Sequence, residues 1–169
     1  PITTMASEAL ISDNGAWAKW GRTTGLDWDD VAVSNGLAHA VWNRATLGEF
    51  ADPTALLAGN WSPDQEAEGV VRGVDALGEC NQEVELRLRS NITAHSNTGY
   101  EIIFQAKRGS GSYASVVRWN GALGDFTVLS MLPYDPQEGD RVRARIVGTK
   151  ISVYVNDVLL DEVEDATFS

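Results

Sequence analysis

Four short runs in the second half of the chain decide its fold: GYEIIFQAK (99–107), YASVVRWNG (113–121), RVRARIVG (141–148) and ISVYVNDVLL (151–160). Apolar and polar side chains alternate in these runs, which is the period of a half-buried β-strand. In the third run Val142, Ala144 and Ile146 share one face and three arginines share the other. Asn156 and Asp157 then mark a two-residue hairpin turn, because both tolerate a left-handed backbone. Together the runs predict an antiparallel β-sandwich.

Shorter strand patterns precede these four runs. We expect strands at 16–21, 31–33, 37–43, 65–74 and 82–89. The segment Asp27–Asp30 is interpreted as a loop. The one predicted helical turn is Asp52–Gly59, where Asp52 could cap and Pro53 suits the first helical position, although the segment fits a loop equally well. Counting these runs gives roughly ten or eleven strands, as a sandwich of two sheets requires.

The length and composition indicate one soluble domain over residues 1–169. A chain of 169 residues buries roughly 70% of its unfolded surface, which is enough for a two-layer core. No apolar run approaches the roughly 20 residues of a membrane span. A net charge of -11 argues against nucleic-acid partners and anionic membranes. The single cysteine, Cys80, leaves no internal disulfide.

Four stretches of the chain resemble the concanavalin A-like lectin and glucanase sandwiches, and in particular the laminin G-like modules common in bacterial and phage proteins. They are NWSPDQEAEGVV (60–71), GYEIIF (99–104), VRWNG (117–121) and the hairpin over 148–160. The likeness covers about residues 17–168. It implies a jelly-roll of two sheets whose concave face often holds a carbohydrate.

The two ends of the chain add expectations about its setting. The first residues lack the pattern of a secretory signal, which fits either a signal already removed or a trimmed initiator methionine. The first residues therefore do not decide the cellular compartment, and the resemblance favours an extracellular or virion-surface location. Modules of the resembled type usually continue with a further glycine-rich strand beyond the position of Ser169. We expect an open strand edge that a neighbouring subunit could complete.

Glu83 and Glu85 are the first candidates for chemistry. Alternate positions on a strand place their carboxylates on one face roughly 6.5 Å apart, near the separation of a glycosidase pair. Glucanases of the resembled fold carry three acidic residues at alternate positions, and here the third position is Arg87. Because that triad is not intact, we expect a protein that is not an enzyme. A solvated strand face with paired Glu and Arg explains the same residues.

Lyases of the resembled fold use a His or Tyr base with Gln and Arg. The matching residue types here are His39, His95, Tyr100, Gln105 and Arg118, which follow no ordered motif. We interpret His39, in a largely apolar run, as a structural histidine.

Two clusters of acidic residues bear on metal binding. Asp27, Asp29 and Asp30 form an oxygen-rich group of the kind that suits calcium, and an Asx-rich turn explains them as well. The second cluster is interpreted as a charged strand edge and comprises Asp161, Glu162, Glu164 and Asp165. We expect no cofactor, with calcium as the alternative.

Aromatic side chains supply the predicted ligand-binding residues. Sugar sites combine a tryptophan or tyrosine plane with polar hydrogen-bonding groups, and the chain has six tryptophans. Trp119 is flanked by two polar residues, and Trp61 and Tyr134 lie in loop-like segments. The predicted set is Arg118, Trp119, Asn120, Trp61 and Tyr134.

These observations leave three classes of function. A non-catalytic carbohydrate-binding or adhesion module comes first. A structural virion-surface protein, such as a capsid decoration or tail-associated phage protein, is the alternative, followed by a polysaccharide-degrading enzyme. The expected partners are a carbohydrate or protein surface and a further copy or neighbouring subunit, with no nucleic acid and no membrane.

Overall fold

The structure is a computed structural model that describes residues 9–10, 17–18, 27–41, 52–74, 82–107, 109 and 111–169. Those residues contain no helix, and hence none long and apolar enough to cross a membrane. The strands within them are β1 (Ala9–Leu10), β2 (Trp17–Ala18), β3 (Trp28–Ser34), β4 (Leu37–Val41), β5 (Asp52–Pro53), β6 (Leu56–Leu57), β7 (Gln65–Val70), β8 (Glu83–Thr93), β9 (Ser96–Gln105), β10 (Tyr113–Gly121), β11 (Phe126–Pro133), β12 (Arg141–Val147), β13 (Lys150–Val155) and β14 (Val158–Glu164).

The chain divides into two compact units. The first comprises Pro1–Asn60, Ile92–Asn97 and Gly121–Gly124, and the second comprises Trp61–Asn91, Thr98–Asn120 and Asp125–Ser169. The single domain expected over residues 1–169 stays a prediction.

The second unit is a sandwich of two four-stranded antiparallel sheets, ordered β11-β10-β9-β8 and β14-β13-β12-β7. An apolar core of buried side chains belongs to this unit. Its members are Val71, Leu86, Leu88, Tyr100, Ile102, Phe104, Ala106, Ala114, Val116, Tyr134, Val142, Ala144, Ile146, Ile151 and Val153. The prediction of an all-β, two-sheet antiparallel sandwich is confirmed.

The alternation in the quoted runs is what builds the sandwich. On β12 the side chains of Val142, Ala144 and Ile146 are fully buried, because every second residue of a strand faces the same side. The turn after β13 also has its predicted geometry, with φ of 51° at Asn156 and 66° at Asp157. Both residues adopt the left-handed backbone that a two-residue hairpin needs.

Arg89 lies within β8 and joins three separate segments of the second unit. Its backbone is left-handed, with φ of 49°. Its guanidinium donates hydrogen bonds to the carbonyl oxygens of Pro63 at 2.7 Å, Gly148 at 2.7 Å and Phe168 at 2.6 Å. The neighbouring strand approaches so closely here that a β-carbon on Gly99 would lie 2.6 Å from the Arg89 carbonyl oxygen. Only glycine fits that position without a shift of the backbone.

Asp165 fixes the end of the chain to the second unit. Its carboxylate accepts hydrogen bonds from the Tyr100 hydroxyl at 2.7 Å, the Arg118 guanidinium at 2.5 Å and the Thr167 amide at 2.8 Å. Burial raises the pKa of this carboxyl, but the hydrogen bonds from Thr167, Tyr100 and Arg118 outweigh burial and lower it to about 2. Phe168 then packs edge-on against Tyr100 with ring centroids 5.6 Å apart.

The first unit is built around β3. Strands β1 and β4 pair with β3 antiparallel, β5 pairs with it in parallel, and β2 pairs with β6. Trp28 is buried and donates its indole N–H to the Thr93 carbonyl at 2.7 Å. The interpretation of Asp27–Asp30 as a loop is wrong, because β3 begins at Trp28.

Two other local predictions differ from the structure. The helical turn predicted at Asp52–Gly59 is wrong, because the short strands β5 and β6 occupy that segment and the Thr54 amide donates to the Asp29 carbonyl at 3.0 Å. The predicted strand at 65–74 ends at Val70, after which Val71 exchanges hydrogen bonds with Gly139 and Asp140. Trp42, Cys80 and most of the strand predicted at 16–21 lie outside the described residues.

Candidate functional site

The outer face of the β14-β13-β12-β7 sheet carries a cross-strand row of polar side chains. Arg145 on β12 lies opposite Glu66 on β7 and opposite Ser152 on β13. Ser152 in turn lies opposite Glu162 on β14. Residues that are directly opposite across strands are close enough for their side chains to interact. The row therefore presents donors and acceptors together on one surface.

A shallow hollow of about 270 Å³ lies on this face, and we call it the Tyr154 hollow. Its lining residues are Arg145, Val147, Lys150, Ser152, Tyr154 and Glu162. They come from β12, β13 and β14, so the hollow rests on neighbouring strands of a single sheet. Groups on paired strands are held more precisely than groups on loops.

Lys150 and Glu162 form an ion pair within the hollow. The Lys150 ammonium lies 2.8 Å from a Glu162 carboxylate oxygen, and the other oxygen accepts the Ser152 hydroxyl at 3.1 Å. The hydrogen bond with Glu162 raises the pKa of Lys150, and the hydrogen bond from Lys150 lowers the pKa of Glu162. Both groups are therefore charged at neutral pH.

The aromatic ring of Tyr154 is held by a cation. The Arg143 guanidinium carbon lies 4.3 Å from the ring centroid, within the range of a cation–π contact. Arg143 is itself paired with Glu66 at 3.3 Å and with Asp157 at 3.6 Å. These carboxylates fix the guanidinium, and the guanidinium fixes the ring.

Arg145 is the most available donor in the hollow. Its side chain is 54% exposed, and its nearest carboxylate is Glu66, 3.9 Å from Nε and beyond hydrogen-bonding distance. Arg141 on the same strand is 44% exposed and lies outside the hollow, with its carboxylate partners Asp157 and Glu68. The hollow thus combines an aromatic ring, cationic donors, a hydroxyl and a carboxylate. These are the groups that hold a compound with several hydroxyls.

The predicted ligand-binding residues have different surroundings in the structure. Trp61 is 60% exposed, as a stacking surface requires. Trp119, by contrast, is buried: its side chain is only 6% exposed, and its indole N–H donates to Glu101 at 2.9 Å. Tyr134 lies in a loop but is buried, and it donates to Asp140 at 2.8 Å. Burial raises the pKa of the Tyr134 hydroxyl above its usual range, and the hydrogen bond with Asp140 raises it further.

Arg118 and Asn120 point away from Trp119, because successive residues of a strand face opposite sides. Arg118 binds Asp165 and Thr167, the latter at 2.9 Å. Asn120 donates to Asp125 and to Thr127, each at 3.2 Å. Both side chains therefore have partners within the protein. Ligand binding by the five predicted residues stays a prediction.

The acids weighed as a catalytic pair have separate partners. Tyr113 donates to Glu83 at 2.5 Å, while Glu85 lies 3.4 Å from Arg87. Burial raises the pKa of the Tyr113 hydroxyl, and the hydrogen bond with Glu83 raises it further. Arg87 also pairs with the buried Glu101 at 2.6 Å. The interpretation of this strand as carrying paired Glu and Arg agrees with these contacts, except that Arg87 is buried.

Of the residues that match a lyase site, Tyr100 and Arg118 come together, because both donate hydrogen bonds to Asp165. His39 is exposed, contrary to its interpretation as a structural histidine, and His95 lies 3.1 Å from Asp27. Asp29 and Asp30 are buried in β3. Within the described ranges no three His, Cys, Asp or Glu residues are grouped to hold a metal. Calcium binding stays a prediction.

Three residues of the second acidic cluster, Asp161, Glu162 and Glu164, lie on the edge strand β14, in agreement with their interpretation as a charged strand edge. Asp161 accepts the Ser130 hydroxyl, Glu162 lines the Tyr154 hollow, and Asp165 binds Tyr100. Three members of the cluster therefore have three different surroundings.

The fold places the protein among the all-β sandwiches, and comparison with known proteins agrees with that class. No family model matches the chain, and no curated protein matches it either. Among solved structures it is similar to the carbohydrate binding module CBM66 from Bacillus subtilis, with a TM-score of 0.52 and 16% sequence identity. The match covers 100% of this chain and 86% of that chain. At this identity the similarity shows the fold.

Proposed function

We propose that the protein is a non-catalytic carbohydrate-binding module of the concanavalin A-like jelly-roll type, with its ligand in the Tyr154 hollow. The fold shared with a solved carbohydrate binding module supports this function. The observation that carries it is the combination of an aromatic ring, two cations, a hydroxyl and a carboxylate in one hollow. Specific sites of this kind add a few fixed polar groups to an aromatic or apolar floor.

The charges of the hollow favour a saccharide with adjacent hydroxyl groups. Lys150 and Glu162 neutralise each other, which leaves Arg145 as the cationic donor of the hollow that can bind a ligand. A hydroxyl both donates and accepts, and can therefore bridge Arg145 and Glu162 without a net charge. Leu159, exposed and directly opposite Tyr154 on β14, adds apolar surface for the carbon face of a sugar ring.

The alternatives carry less support from the described residues. Glu83 and Glu85 contact Tyr113 and Arg87, as structural residues of a strand face do, and nothing in the comparisons favours a polysaccharide-degrading enzyme. Nothing in the described ranges or in the comparisons favours a virion-surface protein. Trp61 is retained as a second contact for a long saccharide because its side chain is exposed.

Binding to a panel of soluble polysaccharides and a glycan array tests the proposal, followed by titration calorimetry on the best ligand. We expect Tyr154→Ala and Arg145→Ala each to weaken binding at least about tenfold, a loss of about 1.4 kcal/mol. Arg141→Ala is the matched control, because Arg141 lies on the same strand and face but outside the hollow. Its binding should stay within about twofold of the wild type. A folded wild type that binds nothing, or three variants with equal affinity, would contradict the proposal.

A further inference from the structure

Among the described strands of the second unit, β11 is the one edge strand without a charged residue. Its sequence is FTVLSMLP (126–133), in a chain in which 22% of residues are charged. The other three edge strands are β8, β7 and β14, and each carries two or more charged residues. Charges on an edge strand discourage pairing with another chain, and β11 lacks this protection.

The outward face of β11 is apolar and exposed. Phe126, Val128 and Met131 are each about half exposed to solvent. A bulge at Leu129 places these three side chains on the same face, because Val117 pairs with Val128 while Val116 pairs with Ser130. The strand thus presents an apolar stripe beside an edge which, among the described residues, pairs with β10 alone.

We propose that β11 is an interaction surface for β11 of a second copy of this chain, with the two strands antiparallel across a twofold axis. Two chains of net charge -11 repel each other, and the repulsion is weakest where they meet through an uncharged surface. In an isologous contact each strand faces its own sequence. No charged side chain of one β11 then opposes a charged side chain of the other, whatever the register.

The same comparison of charges explains why β7 and β14 do not pair with a second copy. On β7 the carboxylates of Glu66 and Glu68 would face those of a second copy. On β14 Asp161, Glu162 and Glu164 would do so. Like charges directly opposite across a strand pair destabilise it. Contact between copies is therefore disfavoured at β7 and β14, and a contact through β11 leaves the Tyr154 hollow on the other sheet uncovered.

Sedimentation velocity over a range of protein concentrations tests the contact. We expect wild-type protein to form a dimer and Val128→Lys to raise its dissociation constant at least about tenfold. The matched control is Val70→Lys on β7, since Val70 is 47% exposed and Val128 is 46% exposed. This control should dimerise like the wild type. A wild type that is monomeric at its highest soluble concentration, or a control that loses the dimer equally, would overturn the proposal.

Disulfide trapping provides a readout that does not depend on a destabilising charge. In a Cys80→Ser background, cysteine is placed in turn at Phe126, Val128 and Met131, because a disulfide across the twofold axis forms only where the two Cα atoms lie within about 7 Å. At least one of these variants should yield a covalent dimer under mild oxidation, and Val70→Cys should not. Trapping at none of the three positions, or equal trapping of Val70→Cys, would also overturn the proposal. Because the two hypotheses use different sheets, sugar binding that survives in Val128→Lys separates failure of the dimer from failure of the proposed function.

Discussion

At the scale of single residues, the polar side chains of the second unit act mainly by holding segments together. Arg89 binds three carbonyl oxygens from separate parts of the chain. Asp165 binds Tyr100 and Arg118 from distant strands together with the nearby Thr167. Arg118 was predicted to bind a ligand, but its guanidinium binds Asp165. The sequence shows that Arg118 is polar and lies on a strand. Its partner, 47 residues away, is known only from the folded chain.

Asp165 makes the stability of the protein depend on acidity. Its folded pKa of about 2 lies below its ordinary value of 3.8, so its stabilising effect is complete above pH 4. The effect is lost as the pH falls through 2. We expect acidification from pH 5 to below 2 to reduce the free energy of unfolding of the wild type by about 2 kcal/mol more than that of Asp165→Asn. Urea denaturation at a series of pH values measures this difference. Equal acid losses in the two proteins would contradict the assignment.

At the scale of secondary structure elements, regular alternation determined what could be predicted. Strands β9, β10, β12 and β13 follow from the period of two in their sequences. Strand β11 was not assigned because its bulge breaks that period, so that Phe126 and Val128 share a face with Met131 and not with Ser130. The Tyr154 hollow was also missed, although Ser152 and Tyr154 alternate with the inward residues of β13. Strand pairing places Arg145 and Glu162 on either side of Ser152. This register depends on how separate strands align, which cannot be inferred from a single sequence.

The close approach of β8 and β9 gives a test at this scale. Gly99→Ala would place a β-carbon 2.6 Å from the Arg89 carbonyl oxygen, at a φ of 121°. The control is Gly111→Ala, which has a positive φ of 93° and, among the described residues, no atom within 4 Å of the new β-carbon. Both variants carry backbone strain, and only the first adds a steric overlap. We expect Gly99→Ala to lose about 2 kcal/mol more stability than Gly111→Ala in urea denaturation. Equal losses would show that the strands separate at little cost.

At the scale of the whole molecule, net charge and local charge have different consequences. The overall value of -11 opposes self-association, while β11 offers a surface without charge. The all-β fold was predicted from the alternation of side chains along the sequence, because net charge carries no information about fold. The distribution of charge among edge strands became visible once the sheet order was known.

Salt should therefore strengthen the proposed dimer. Raising the salt concentration from about 0.05 M to about 0.5 M screens the repulsion between two acidic chains and leaves the apolar contact intact. We expect the dissociation constant to fall about two- to tenfold, as measured by sedimentation velocity. A dimer weakened by salt would indicate that attraction between opposite charges holds it, and would contradict an uncharged contact.

The pairing of β7 with β12 also bears on how the chain folds during synthesis. Val70 pairs with Arg141, so the ribosome completes β7 on the order of ten seconds before the strand that pairs with it. Such distant pairing slows folding, because a long loop must close before the strands gain any contact. Throughout that interval β7 remains an unpaired strand in the nascent chain. During this interval the carboxylates of Glu66 and Glu68 keep the unpaired β7 segment soluble. Once β12 has paired with β7, the same carboxylates form ion pairs with Arg143 and Arg141.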